Sequence, residues 1–286
     1  QVHAPRYLAF LQTAWQHWLA LDPANAGVQP FPSVWPVRTL RSDLEPENFV
    51  ARLGLYSMDN GTPMASGTWA AAKAGADAAA SAATLVAQGA RAAFCCTRPP
   101  GHHAGPDFMG GYCFLNNAAV AAQVLRNQGA QRVALLDVDY HHGNGTQSIF
   151  YDRADVLFIS IHGDPRTEYP FYLGHADETG VGEGAGFNLN LPLPAGTSAT
   201  TWFDALESAC ARIASQGADA LVVSLGLDTF EGDPISKFAL ASADFTRVGE
   251  RLARAGLPTV FVLEGGYAAA ELGTNAVNVL DGFEQV

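Results

Sequence analysis

The sequence lacks a CxxC pair among its four cysteines, an apolar run of membrane-spanning length, a basic-then-apolar leader, and any internal repeat. Without paired spacing, Cys95 and Cys96 in the apolar run Ala92–Cys96, and Cys210 in a helical pattern, read as buried reduced thiols. A cytoplasmic compartment is the expectation that follows. Without a long apolar run, no membrane partner is expected. The chain begins at Gln1 rather than Met, as a processed form or a piece of a longer chain would. Basic residues are also scarce, 16 Lys and Arg against 28 Asp and Glu, for a formal net charge of −12. That balance argues against nucleic acid and favours cationic ligands by long-range attraction, although an acidic surplus also serves solubility.

What is present suits an α/β fold. The chain has 286 residues and 48% apolar content, enough for one large domain or two small ones. Helical spacing marks Pro5–Leu21, with His3 and His17 as surface or packing residues. It also marks Ser66–Gln88 (with Ser66 or Thr68 as cap), Asn117–Asn127, a short Asn144–Tyr151, Ala199–Gln216, Ser242–Ala255 and Ala268–Leu280. Apolar strands are expected at Ala90–Thr97, Gln131–Asp139, Asp155–His162, Phe187–Leu193, Ala218–Leu227 and Pro258–Leu263. Strands apolar on both faces and alternating with helices predict a mostly parallel central sheet, with helices on both faces. Residues 24–47 differ in character. Prolines at 30, 32, 36 and 46 alternate with Phe31, Val34, Trp35 and Val37, which predicts a long extended loop serving function or an interface.

The unusual polar residues fall after strands, where ligands bind in such sheets. The densest stretch is Leu135–Thr146, LLDVDYHHGNGT. Alternation along an extended chain is expected to put Asp137, Asp139 and His141 on one face. Two carboxylates and an imidazole there are hard to account for as packing, since charges bury badly unless paired or metal-bound. Asp139, His141 and Asp228 make a three-ligand set with an open position, the pattern of a catalytic metal site. Zinc fits it, and iron, manganese and cobalt take similar sets. His102 and His103 follow Pro99–Pro100–Gly101 on a rigid loop. Beside a metal-activated water, two imidazoles could move protons, oriented by Asp137 or Asn144. Tyr267, after Gly265–Gly266, could donate to an oxyanion. In isolation, a histidine pair reads equally as core, surface or function, and a tyrosine after two glycines reads more often as packing.

RPPGHHAG, GGYCFLNN, LLDVDYHHGNGT, ISIHGDP, GLDTFEGDP and LEGGY, in that order, resemble the histone deacetylase superfamily, and most closely its bacterial acetylpolyamine amidohydrolases. The resemblance runs over nearly the whole chain. It implies a single arginase/deacetylase-like catalytic domain over residues 1–286 and zinc-dependent amide hydrolysis. By position it makes Asp139, His141 and Asp228 the zinc ligands, and His102 and His103 the tandem histidines, with His103 the general base and acid. Asp137 becomes the partner of His102, and Tyr267 the oxyanion donor. Gly111, Tyr112, and Phe171 or Tyr172 line the acyl channel. The resemblance also implies potassium, at Asp137, Asp139, His141, Ser160 and Ile161, and again at Phe150, Arg153, Val156 and Phe187. It further implies a homodimer through the proline-rich loop.

The chain departs from that pattern in three places. Asn144 stands where some relatives carry Asp, so the partner of His103 is uncharged. The family's N-terminal strand and loop are expected to be absent, since the chain starts at the VH-x-x-x-YL helix. In YSMDNGTPM, Gly61 stands where a glutamate is expected and leaves Asp59 as the nearest acid, with Asp107 and Glu168 as further candidates for the mouth. The expectation is removal of acetyl groups from small cationic amines, acetylpolyamines first. A protein acetyl-lysine deacetylase is the alternative. A non-catalytic binder of acetylated ligands is disfavoured, because ligands, histidines and tyrosine are all present.

Overall fold

A computed structural model describes residues 2–286. The strands are β1 (Ala92–Cys95), β2 (Val133–Asp137), β3 (Val156–Gly163), β4 (Asn188–Leu193), β5 (Ala220–Leu225) and β6 (Thr259–Leu263). They form one parallel sheet in the order β1-β6-β5-β2-β3-β4. Every residue of β2, β3 and β5 is buried. Covered on both faces, these strands need no alternation of apolar and polar residues, which is why they read as continuous apolar runs.

The helices are α1 (Pro5–Leu21), α2 (Phe49–Leu55), α3 (Thr68–Ala87), α4 (Asn117–Asn127), α5 (Asn144–Phe150), α6 (Ala199–Gln216), α7 (Ser242–Ala253) and α8 (Leu272–Glu284). Successive residues of β2 serve opposite cores. Ala134 and Leu136 pack with Trp202 and Leu206 of α6 and Phe245 and Val248 of α7. Val133 and Leu135 pack with Ala79 and Ala83 of α3 and Ala118 and Ala122 of α4. Both α3 and α4 are rich in alanine, which brings their backbones close to the sheet. At the α7–α8 crossing, a methyl on Gly249 would lie 1.9 Å from the Val279 carbonyl oxygen, so only glycine permits this approach.

A third cluster joins Tyr7, Phe10 and Leu11 of α1 to Phe49 and Leu53 of α2 and to Met109, Phe114 and Leu115. The last three lie in the loop that carries the tandem histidines, so α1 braces that loop. The Tyr7 hydroxyl donates to the Phe114 carbonyl at 2.7 Å, and the Asn116 N–H donates to His3 Nε2 at 2.9 Å. His3 is thus a buried strut, and burial lowers its pKa to about 4.

Several boundaries differ from expectation. Helix α2 lies outside every expected element, although its Asn48 cap, accepting the Ala51 N–H at 3.1 Å, was readable. Helix α3 starts after Gly67, and the Thr68 hydroxyl accepts the Ala65 N–H instead of capping. Helix α8 begins four residues late because Ala268 still belongs to the loop after β6. Cys96 is exposed, because β1 ends at Cys95. All four thiols are free.

Candidate active site

Strand β2 ends at Asp137, so the expected strand face bearing Asp137, Asp139 and His141 does not form. Two short turns replace it. Asp137 Oδ1 accepts the Asp139 N–H at 3.1 Å, and Asp139 Oδ1 accepts the His141 N–H at 2.9 Å. The side chains converge all the same. Asp228 lies just past β5 and accepts the Tyr140 N–H at 2.8 Å through Oδ1. Its Oδ2 lies 3.0 Å from His141 Nδ1, and Asp139 Oδ1 lies 3.3 Å from the same nitrogen. Asp139 Oδ2 accepts the Gly265 N–H at 2.8 Å. Each carboxylate is therefore oriented by backbone and turns an oxygen toward a shared point.

This trio fits a divalent cation. Its donor atoms all lie within 4.8 Å of one another, and both aspartates are fully buried. Burial and the charge of Asp139 push the Asp228 carboxyl up to about 7. Burial opposes ionisation of Asp139 too, but His102 and His141 outweigh it and hold that carboxyl well below its usual range. Two buried carboxylates driven apart in this way are what a shared cation relieves. Two carboxylate oxygens and one imidazole nitrogen suit zinc.

The tandem histidines stand beside the trio. His102 Nδ1 lies 2.9 Å from Asp137 Oδ2, and His103 Nδ1 lies 2.6 Å from Asn144 Oδ1. Their rings are 4.0 Å apart. Burial would lower both, yet the charges of Asp139 and Asp137 hold His102 well above the usual histidine value. His103, next to an amide instead of a carboxylate, is pushed well below it by burial, His102 and His141. The two adjacent imidazoles are thus pushed in opposite directions.

A cavity of about 350 Å³ opens over this group, lined by His103, His141, Tyr267, Gly111, Tyr112, Tyr169, Ile235, Asp59, Asn60 and Gly61. Its floor is buried, and Tyr112 and Ile235 at its rim are exposed. Tyr112 and Phe171 have φ of 67°, which ordinary side chains adopt only when their surroundings impose it. Asp59 supplies much of that support. Its carboxylate accepts the Gly111 N–H at 2.8 Å, the Tyr169 hydroxyl at 2.7 Å, and the Thr62 hydroxyl at 3.1 Å. Thr62 in turn accepts the Tyr112 N–H at 2.9 Å.

The histone deacetylase domain profile matches residues 1–283. The chain belongs to the histone deacetylase family. It is 57% identical over 286 residues to acetylpolyamine amidohydrolase 2 of Pseudomonas aeruginosa, which covers all of this chain and 82% of that one. It is 49% identical over 282 residues to the acetylpolyamine amidohydrolase of Mycoplana ramosa, covering 99% of this chain and 82% of that one. The crystal structure of acetylpolyamine aminohydrolase from Burkholderia pseudomallei superposes with a TM-score of 0.92 at 43% identity, covering 99% of this chain and 81% of that one. The family's arginase/deacetylase fold and its deacetylase-type hydrolase chemistry thus belong to this chain, and family deacetylases are zinc enzymes.

For this family member, the structure lines one cavity with His141, His103, Tyr267, Gly111, Tyr112 and Asp59, and sets Asp139, Asp228, His102, Asp137 and Asn144 in contact with its two histidines or with each other. It does not bring Phe171 and Tyr172 to the cavity wall. The chain turns at Phe171, so Tyr169 packs edge-on to His103 at 5.0 Å while Tyr172 points to solvent. Phe171 and Tyr172 line a neighbouring cavity of about 350 Å³ with Asn144 and Pro170. Tyr169 was missed because YPFY offers three aromatics within four positions and periodicity does not rank them. Glu264 stands just past β6, in the LEGGY segment. Its Oε2 accepts the Gly101 and His102 N–H groups at 2.6 and 3.1 Å and anchors the histidine loop. Burial and Asp137 push it up, against the pull of His102, to about 7. Of the outer acids, Asp107 pairs with Arg6 at 2.6 Å and Glu168 with Lys237 at 2.7 Å.

Proposed function

We propose that this deacetylase removes acetyl groups from small cationic acetylamines, acetylpolyamines first among them. The observation that carries the reading is the Asp139–His141–Asp228 trio beside a cavity lined by His141, His103 and Tyr267. The names of its relatives support the substrate class.

Asp139, His141 and Asp228 would hold zinc, which when bound polarises the acetyl carbonyl and activates water. His103 faces the cavity, and its Nδ1 is engaged by Asn144. It takes a proton at Nε2 from the water that adds to the carbonyl, and returns one to the leaving amine. His102 is held by Asp137 at 2.9 Å, with its ring 4.0 Å from that of His103. The Tyr267 hydroxyl donates to the developing oxyanion. Burial and the charges of Asp139 and Asp228 raise its pKa, so it remains a donor throughout the neutral range. Tyr112, Tyr169 and Gly111 sheathe the acyl arm and exclude water. The products are acetate and the free amine.

The same amide and stem occur in acetyl-lysine, and one observation favours that alternative. Asp59 already bonds within the protein, and Gly61 adds no acid beside it. Attraction of a polyamine's distal ammonium therefore rests on the −12 net charge more than on a dedicated rim carboxylate. A panel of acetylputrescine, acetylcadaverine, acetylspermidine, an acetyl-lysine peptide and a neutral acetamide decides. Higher kcat/KM is expected for the acetylated di- and polyamines than for the neutral acetamide. The excess should shrink with salt, since screening shortens the field to about 10 Å at 0.1 M, while kcat stays nearly constant. A ratio flat with salt, or a preference for the acetamide, removes the polyamine reading.

Two potassium sites belong to the same proposal. Asp137, Asp139, His141, Ser160 and Ile161 would form the first, and the pairing of Asp137 with Ser160 across β2 and β3 supports it. Phe150, Arg153, Val156 and Phe187 would form the second, around the end of α5. A cytoplasmic location is in keeping with four free thiols. No helix among the described residues is long and apolar enough to cross a membrane.

A homodimer through the proline-rich loop completes the proposal. Val28, Phe31, Val34, Trp35, Val37, Leu40 and Leu44 are all exposed along it, a patch that a partner surface would cover. Sedimentation should show a dimer that Phe31→Ser with Trp35→Ser dissociates. A monomer at every concentration contradicts this.

A further inference from the structure

We infer that Asp233 is the positioning residue for Tyr267, pinning the phenol over the cavity from the far side of its glycine loop. This inference rests on the proposed function, in which Tyr267 is the oxyanion donor.

The loop after β6 is held at two points. On one side, the Gly265 N–H donates to Asp139 Oδ2 at 2.8 Å, and the Gly265 carbonyl accepts the Leu227 N–H at 2.7 Å. On the other, Asp233 Oδ2 accepts the N–H groups of Tyr267 at 2.7 Å and Ala268 at 3.3 Å. Between them lies Gly266 at φ 146°, a conformation side chains rarely adopt, where a Cβ would also meet Leu272 Cδ1 at 2.6 Å. Two glycines before Tyr267 leave its approach angle soft. The first pin fixes where the loop starts, and the second fixes the backbone from which the ring projects. Past Tyr267 the chain runs into the exposed Ala269 and Ala270.

Asp233 is suited to this task. It is buried, and its backbone is fixed by its N–H donating to the Phe230 carbonyl at 3.0 Å. Its Oδ1 accepts the Ile235 N–H at 3.0 Å, and Ile235 lines the same cavity as Tyr267. One carboxylate thus ties two cavity walls, from separate strand ends, to each other. Hydrogen bonds to an ionised acceptor are stronger than neutral ones, and here three N–H groups share one carboxylate. A tyrosine that must meet a developing charge gains from such a pin, because a displacement of about 1 Å can cost about 10²-fold in rate.

The test is a double-mutant cycle on acetylputrescine hydrolysis, with metal content and circular dichroism as controls. Asp233→Ala should lower kcat at least tenfold, with KM changing less than threefold. In a Tyr267→Phe background the same change should cost less than threefold, since the group it positions is gone. Amide hydrogen exchange in a peptide spanning residues 264–271 should quicken in Asp233→Ala. Asp233→Asn keeps the shape and one carbonyl oxygen, so it should show a smaller loss with the same dependence on background. Equal losses in both backgrounds, no loss with the tyrosine present, or unchanged exchange would overturn the inference. If neither variant folds, Asp233 is a residue of the fold and the inference is likewise overturned. If the unaltered chain hydrolyses nothing in the panel, the proposed function has failed, and amide exchange still judges the pin by itself.

Discussion

Tyr267→Phe will keep fold and metal and lose about 10²–10³ in kcat, the usual cost of removing one preorganised oxyanion donor. The substitution deletes a single oxygen from a ring that lines the cavity and meets Tyr112 edge-on at 6.1 Å, so packing survives. Because the hydroxyl contributes only as charge develops, KM should move little while kcat falls. The histidines provide a matched comparison. His103→Ala should lose at least as much as Tyr267→Phe, since His103 alone of the pair lines the cavity. His102→Ala should lose less. Steady-state rates of the three variants settle the order, and a reversal of the two histidines would transfer the base role to His102.

The second large effect concerns the metal. Asp139→Ala, His141→Ala and Asp228→Ala should each purify without a stoichiometric divalent ion and with activity at background. Asp139 is the most exposed to test. It contacts His141, accepts the Gly265 N–H, and lies 3.8 Å from His102 Nε2. Its loss therefore disturbs ligand, loop and histidine together. Elemental analysis of folded protein is the measurement. Full metal retention by any one variant would remove that residue from the ligand set.

How much of this could be read beforehand differs between backbone and site. The parallel sheet was legible because two-sided burial writes continuous apolar strands, and α1, α4 and α6 were legible to the residue because their ends carry proline, asparagine or glycine signals. Helix α2 escaped because seven residues after a proline-rich stretch show little periodicity. The functional residues were legible as types and positions: Asp139, His141, Asp228, His102, His103 and Tyr267 all follow strands. The geometry joining them was not. Alternation predicts Asp137, Asp139 and His141 on one strand face, but the strand ends at Asp137, and turns built from the aspartates' own side chains bring the groups together instead. Tyr169, Glu264 and Asp233 were beyond reach for a common reason. Each acts through a partner more than 30 residues away, on His103, on the Gly101–His102 backbone and on the Tyr267 backbone, and local pattern carries no record of such pairings.

The central claim is that the cavity over His103, His141 and Tyr267 hydrolyses an acetyl amide with a divalent ion held by Asp139, His141 and Asp228. Quantifying acetate and free amine from acetylputrescine tests it most directly, with the protein zinc-replete, stripped by chelator, and reloaded. Equimolar acetate and putrescine from the replete protein, near-zero turnover after stripping, and recovery on adding zinc are the predicted results. Turnover that chelation leaves untouched, or no acetate from replete folded protein across the substrate panel, would contradict the account.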